Sequence, residues 1–215
     1  MHNTSTCSWA ARARVGFSLS ILFLTGSLTA IQAAEAPKGI ALGIVYDTSG
    51  SMKESVRDAD GKTAPKYVIA NRALGAIVER LQAFVAAAPK DSPRQLQAGL
   101  VVFKDRNADV AVKFGPFDAN ALRNWVRQFS NPMGSTPLGL ALETAGNAVL
   151  ASSLPSKHVL VLTDGINTEG PDPAITLKGL QEQSSRKNSS ISVYFVAFDV
   201  DAKVFAPVKK LGATV

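Results

Sequence analysis

The chain has 215 residues, 46% of them hydrophobic and 19% charged, with a formal net charge of +6. That length and balance suit one globular domain with a real core and fall short of two. The positive charge is scattered, with Lys209-Lys210 the nearest thing to a cluster, so composition argues against a nucleic-acid-binding face.

Residues 1–34 have the layout of an export signal. Arg12 and Arg14 precede an apolar run over 15–24, and the small residues Ala30, Ala33 and Ala34 offer a peptidase cut after Ala33 or Ala34. The run is shorter than the roughly 20 residues needed to span a bilayer, which favours a cleaved leader over an anchor. Cleavage would remove Arg12, Arg14 and Cys7, leaving 21 basic residues against 17 acidic ones. The mature protein would then have no thiol, and so no disulfide, cysteine-bound metal or cysteine nucleophile. The expected destination is the periplasm or the medium.

From Gly39 onward, short apolar runs alternate with longer periodic segments. Residues 39–46 are almost continuously apolar and end at Asp47, the pattern of a strand buried on both faces. Residues 65–87 repeat apolar side chains at steps of three and four, the pattern of a helix. A strand over 96–103 and an alternating segment over 109–114 predict a hairpin through the turn 104–108. Helices are expected over 119–129 and 138–151, and a second buried strand over 158–163 ends at Asp164. A helix over 175–187, a strand over 191–198 and a helix over 203–211 complete the series. Residues 212–215 look like the opening of a last strand. Leu122, Trp125 and Phe129 follow helical spacing and read as core, and His158 reads as structural.

Strands alternating with helices predict a doubly wound α/β domain over 35–215, Rossmann-like, with a mostly parallel sheet and one antiparallel edge strand. In such sheets ligands bind beyond the carboxyl ends of the strands. Those ends are rich in oxygen. Asp47-Thr48-Ser49-Gly50-Ser51 follows the first strand, Thr163-Asp164-Gly165 follows the strand ending at 163, and Gly134-Ser135-Thr136-Pro137-Leu138 opens a helix between them. Two carboxylates and several hydroxyls form an oxygen-only set that suits a hard cation such as Mg²⁺, which keeps part of its water shell. Zn²⁺ would call for His or Cys. In an extended turn, residues 47, 49 and 51 can present their side chains on one side. Each turn also has a plain structural reading: Asp, Ser and Gly dominate turns, and Thr136 before Pro137 is a good helix cap.

Taken together, the three turns resemble the metal-ion-dependent adhesion site of von Willebrand factor type A and integrin I domains, over roughly 37–215. The resemblance implies that Asp47, Ser49, Ser51, Thr136 and Asp164 hold Mg²⁺ or Mn²⁺, residue type alone not excluding Ca²⁺. It implies that the serines and the threonine reach the ion directly or by exchange with water, and that at least one aspartate acts through water. The last position on the ion would go to an Asp or Glu carboxylate from a partner protein. The implied function is non-enzymatic cell adhesion or assembly. The family's final helix, which moves in its switchable members, has no counterpart in this sequence.

Two other functional classes compete. A phosphatase-like metal-dependent hydrolase would also place an aspartate after the first strand, but it normally carries a second one two residues on, where Ser49 stands. An accessory subunit of an envelope ATPase or chelatase shares the fold, and the chain has no phosphate-binding Gly-x-x-x-x-Gly-Lys loop of its own. Asp58-Ala59-Asp60-Gly61 opens like a calcium loop without the acidic residue that should close it, and reads as a polar insertion at the crevice rim. Membrane contact is expected only through an uncleaved leader or a membrane-bound partner.

Overall fold

A computed structural model of the chain describes residues 39–57 and 61–215. The leader-like segment and residues 58–60 lie outside the described residues. In chain order the strands are β1 (Gly39–Tyr46), β2 (Ser55–Arg57), β3 (Thr63–Pro65), β4 (Gln95–Lys104), β5 (Asn107–Pro116), β6 (Ser156–Thr163) and β7 (Ile191–Ala197). The helices are α1 (Lys66–Ala86), α2 (Ala119–Gln128), α3 (Leu138–Ala151), α4 (Pro173–Arg186) and α5 (Ala206–Lys210), with short 3₁₀ turns at Gly50–Lys53 and Ala202–Phe205.

The main sheet runs β5-β4-β1-β6-β7, parallel except for β5 at the edge. β1 is apolar throughout because helices cover both of its faces. Its Leu42, Ile44 and Tyr46 join α1 and α2 in one core, while Ala41 and Val45 join α3, α4 and α5 in the other. Gly43 lets α3 lie close against the sheet: a β-carbon there would stand 3.1 Å from the Ala145 methyl and the Ala145 carbonyl. Leu122 is fully buried, with Trp125 and Phe129 packed against the same core, as their spacing predicts.

Topology sets the place of the crevice. From β1 the chain crosses by α1 to β4 on one side, and later returns through α3 to β6 on the other. Connections therefore diverge at the carboxyl ends of β1 and β6, where a doubly wound sheet opens.

Two features depart from the sequence reading. The polar insertion is bracketed by a small antiparallel ribbon, β2 against β3, which pairs Val56 with Ala64. Such short, mostly polar strands carry too little hydrophobic alternation to be read from sequence. The helix expected over 203–211 begins instead as a 3₁₀ turn capped by Asp201, and α5 starts afresh with Pro207 in its first turn. At the chain end, Thr214 pairs in parallel with Tyr194 through bonds to Phe195 and Val193 (2.8 and 3.0 Å), as the last strand was expected to begin. His158 stacks loosely on Tyr194, with ring centroids 5.9 Å apart. Burial lowers its pKa, as for an imidazole kept neutral.

Candidate metal centre

The hydrogen-bond ladder continues one residue past β1, with the Asp47 amide donating to the Leu162 carbonyl at 2.9 Å. This plants the Asp47 side chain at the mouth of the crevice, with no exposed surface. Its Oδ1 accepts the Ser49 amide at 2.8 Å, and its Oδ2 accepts the Thr163 hydroxyl at 2.5 Å. Burial raises the Asp47 pKa; the Ser49 and Thr163 bonds oppose that shift, and the neighbouring Asp164 charge adds to it. Thr48 turns the other way. Its hydroxyl donates to the Phe103 carbonyl (2.7 Å) and accepts the Phe103 amide (3.0 Å), pinning the turn to β4.

Ser49 and Ser51 stand with their hydroxyl oxygens 3.1 Å apart, and Ser51 donates to Asp164 Oδ1 at 2.8 Å. The side chain of Asp164 is fully buried. Thr136 arrives from the loop before α3. A β-carbon added at Gly165 would lie 3.7 Å from Thr136 Oγ1 and 3.8 Å from Asp47 Oδ2, so both oxygens border the same small space. The fold thus brings together all the residues singled out from sequence.

Thr136 does not act as the helix cap its sequence context suggests. The cap position of α3 is Pro137, without a side-chain cap bond, and the Gly139 amide is met by Asn167 Oδ1 from the following loop at 3.1 Å. Capping by a distant residue leaves the Thr136 hydroxyl available to the crevice. Thr168 locks the arrangement: its hydroxyl accepts the Thr136 amide at 2.9 Å, and its own amide donates to the Thr136 carbonyl at 3.0 Å. Gly139 makes this contact between loops sterically feasible, because a β-carbon there would fall 1.9 Å from the Pro171 carbonyl oxygen.

One central residue escaped the sequence reading. Lys66, the first residue of α1, is 3% exposed. Its Nζ donates to Asp164 Oδ2 at 3.0 Å and to Glu54 Oε2 at 2.9 Å, and lies 3.4 Å from Asp199. The β2–β3 ribbon closes the gap between Glu54 and Lys66, which are also joined by a backbone bond of 2.9 Å. Burial alone would lower the lysine pKa; the bonds to Glu54 and Asp164 outweigh it and raise the value. The only sequence signal was a lysine opening an otherwise amphipathic helix, a position that usually faces solvent.

Among the described residues, no group of three or more His, Cys, Asp or Glu side chains is placed to hold a metal. A cation here must rely on hydroxyls as well as carboxylates. The donor set of Asp47, Asp164, Ser49, Ser51 and Thr136 fits a hard ion on these terms, since Mg²⁺ and Mn²⁺ accept neutral oxygens and retained water.

The sequence profile of the von Willebrand factor type A domain matches residues 42–214. No curated protein matches the chain. Among solved structures, the PilB minor pilin from Streptococcus sanguinis is similar over 84% of this chain and 57% of its own, at 16% identity and a TM-score of 0.59. The chain therefore spans little more than half the length of that pilin. Proximal thread matrix protein 1 from the mussel byssus matches over 81% of this chain and 40% of its own, at 20% identity and a TM-score of 0.54. The SpRpn10 VWA domain matches over 80% of both chains, at 11% identity and a TM-score of 0.53. At these identities the likeness is one of fold.

Proposed function

The chain belongs to the von Willebrand factor type A domain family, and from that premise we propose that it is an exported protein-binding module that holds Mg²⁺ or Mn²⁺ and captures a partner's carboxylate through it. The observation carrying this reading is the convergence of Asp47, Ser49, Ser51, Thr136 and Asp164 at the carboxyl ends of β1 and β6. A bound divalent ion would supply an electrophilic centre for an Asp or Glu side chain of the partner. The protein's part is to present oxygens with few full charges, so that the ion stays electron-poor. It also keeps the turns rigid through the Thr48–Phe103 and Thr136–Thr168 bonds.

Binding is favoured over catalysis by the bonding of the serines. Ser51 donates to a buried carboxylate and Ser49 lies beside Ser51, while His158 lies toward the amino end of β6, away from the crevice. Among the described residues, neither serine has the neighbouring imidazole that would activate it as a nucleophile. Export rests on the leader-like residues 1–34, and a minor pilin with the same fold is in keeping with it. Among the described residues, no helix is long and apolar enough to cross a membrane.

The test is a thermal unfolding scan of the full chain, stripped with chelator and then titrated with Mg²⁺ or Mn²⁺, beside Asp47→Ala. An ion that binds only the folded state adds about 2.7 kcal/mol at a hundredfold excess over its dissociation constant. Wild type should shift upward and Asp47→Ala should not. A folded wild type whose melting ignores both ions would overturn the metal reading.

A further inference from the structure

Lys66 occupies an unusual position for a lysine beside a candidate cation site. Its ammonium is almost wholly buried and already holds one oxygen of Asp164, while Ser51 holds the other. It is also held by two carboxylates nearer the surface, Glu54 at 67% and Asp199 at 59% side-chain exposure. A single positive charge is thus suspended between an inner carboxylate and two outer ones.

We propose that Lys66 is a tethered counter-cation of the metal site, sharing Asp164 with the divalent ion, preserving the crevice in the metal-free protein and weakening the ion's hold. This inference rests on the metal-site reading above. Without Lys66, Asp47 and Asp164 would face each other across a buried crevice with no compensating charge, which burial makes costly. With Lys66 in place, the metal-free crevice is neutralised in part and keeps its shape. A divalent ion entering meets a like charge a few ångströms away and binds less tightly than two carboxylates alone would allow. Glu54 and Asp199 set the balance, because they draw the ammonium outward from Asp164. The arrangement makes the ion exchangeable and leaves it electron-poor toward an incoming carboxylate.

Titration calorimetry with Mg²⁺ and Mn²⁺ on the full chain tests this in two opposed variants. Lys66→Met, which removes the charge and keeps the bulk, should bind the ions about tenfold more tightly or better. It should also melt lower than wild type in chelator and recover most of that loss when the ion is added. The paired Glu54→Gln and Asp199→Asn variant alters only exposed carboxylates, and should weaken ion binding several-fold by leaving Lys66 to Asp164. Removing nearby charge moves ion affinity in these two directions by itself, so the melts discriminate: a merely structural lysine would lower melting by the same amount with and without the ion. If Lys66→Met fails to fold, the paired variant decides alone: ion affinity equal to or above wild type overturns the inference. Wild type that binds the ions with Lys66→Met within twofold of it overturns the role of Lys66 and leaves the metal site standing. If neither wild type nor Lys66→Met, both folded, binds either ion, the metal site and the inference fall together.

Discussion

The two ends of the central sheet each bury a lysine, and the two lysines sit in opposite surroundings. At the carboxyl end, Lys66 is 3% exposed and surrounded by Asp164, Glu54 and Asp199. At the amino end, Lys157 is 6% exposed and meets no carboxylate among the described residues; its ammonium donates to the carbonyls of Ser152 and Leu154 at 2.7 Å each, just past the end of α3. Lys187 reaches the Leu150 carbonyl nearby at 3.3 Å. Burial and the Lys187 charge lower the Lys157 pKa, whereas its carboxylates raise that of Lys66. A lysine at the end of a helix satisfies orphan carbonyls and complements the helix dipole, which is a purely structural task. Of these two buried lysines, only Lys66 is bonded to carboxylates among the described residues. Electrostatic surroundings separate the two poles more sharply than burial does.

The sharpest break of that contrast is Lys66→Met in chelator. Leaving Asp164 buried and unpaired should cost about 3 kcal/mol of unfolding free energy, measured by urea denaturation, and added Mg²⁺ should restore most of it. Gly139→Ala comes next. Its methyl meets the Pro171 carbonyl at 1.9 Å, so the loop must move, at about 2 kcal/mol. Because that loop carries Asn167 and Thr168, ion affinity should fall with stability, whereas an equal destabilisation at the amino end would leave ion affinity unchanged. Lys157→Met should have the smallest effect, about 1 kcal/mol at neutral pH and the same with or without ion, because the lost carbonyl bonds are offset by relief of a buried charge. It also has a pH signature. With its folded pKa below the ordinary 10.5, Lys157 sheds its proton first in the folded state. Wild-type stability relative to Lys157→Met should therefore rise as pH climbs through the window just below 10.5.

The parts of the molecule that were legible in sequence are those where one strong physical signal acts locally. β1 and β6 showed as unbroken apolar runs because helices cover both faces, and α3 was expected over the bounds it has. Asp47, Ser49, Ser51, Thr136 and Asp164 showed as oxygen-rich turns at element ends. What sequence did not carry was the second partner of each group. Thr163 was read as part of a turn, yet its hydroxyl holds Asp47 across the sheet. Asn167 caps a helix that begins well before it in the chain. Lys66 meets Asp164 only because β1 and β6 lie side by side and the β2–β3 ribbon returns α1 to the crevice. Such pairings depend on register and on non-local approach, neither of which leaves a periodic trace.

The Ser51–Asp164 bond joins positions 113 apart in the chain, and the Thr163–Asp47 bond joins positions 116 apart. Contacts of that reach close only after large loops have been brought together, which makes them late events in folding. No fragment that lacks either β1 or β6 holds both carboxylates, and no intermediate in which β6 has yet to dock against β1 can offer the crevice. A cation held there would ignore the nascent helices and bind the finished topology alone, so recovery of ion binding during refolding would time the moment when the two halves of the sheet meet.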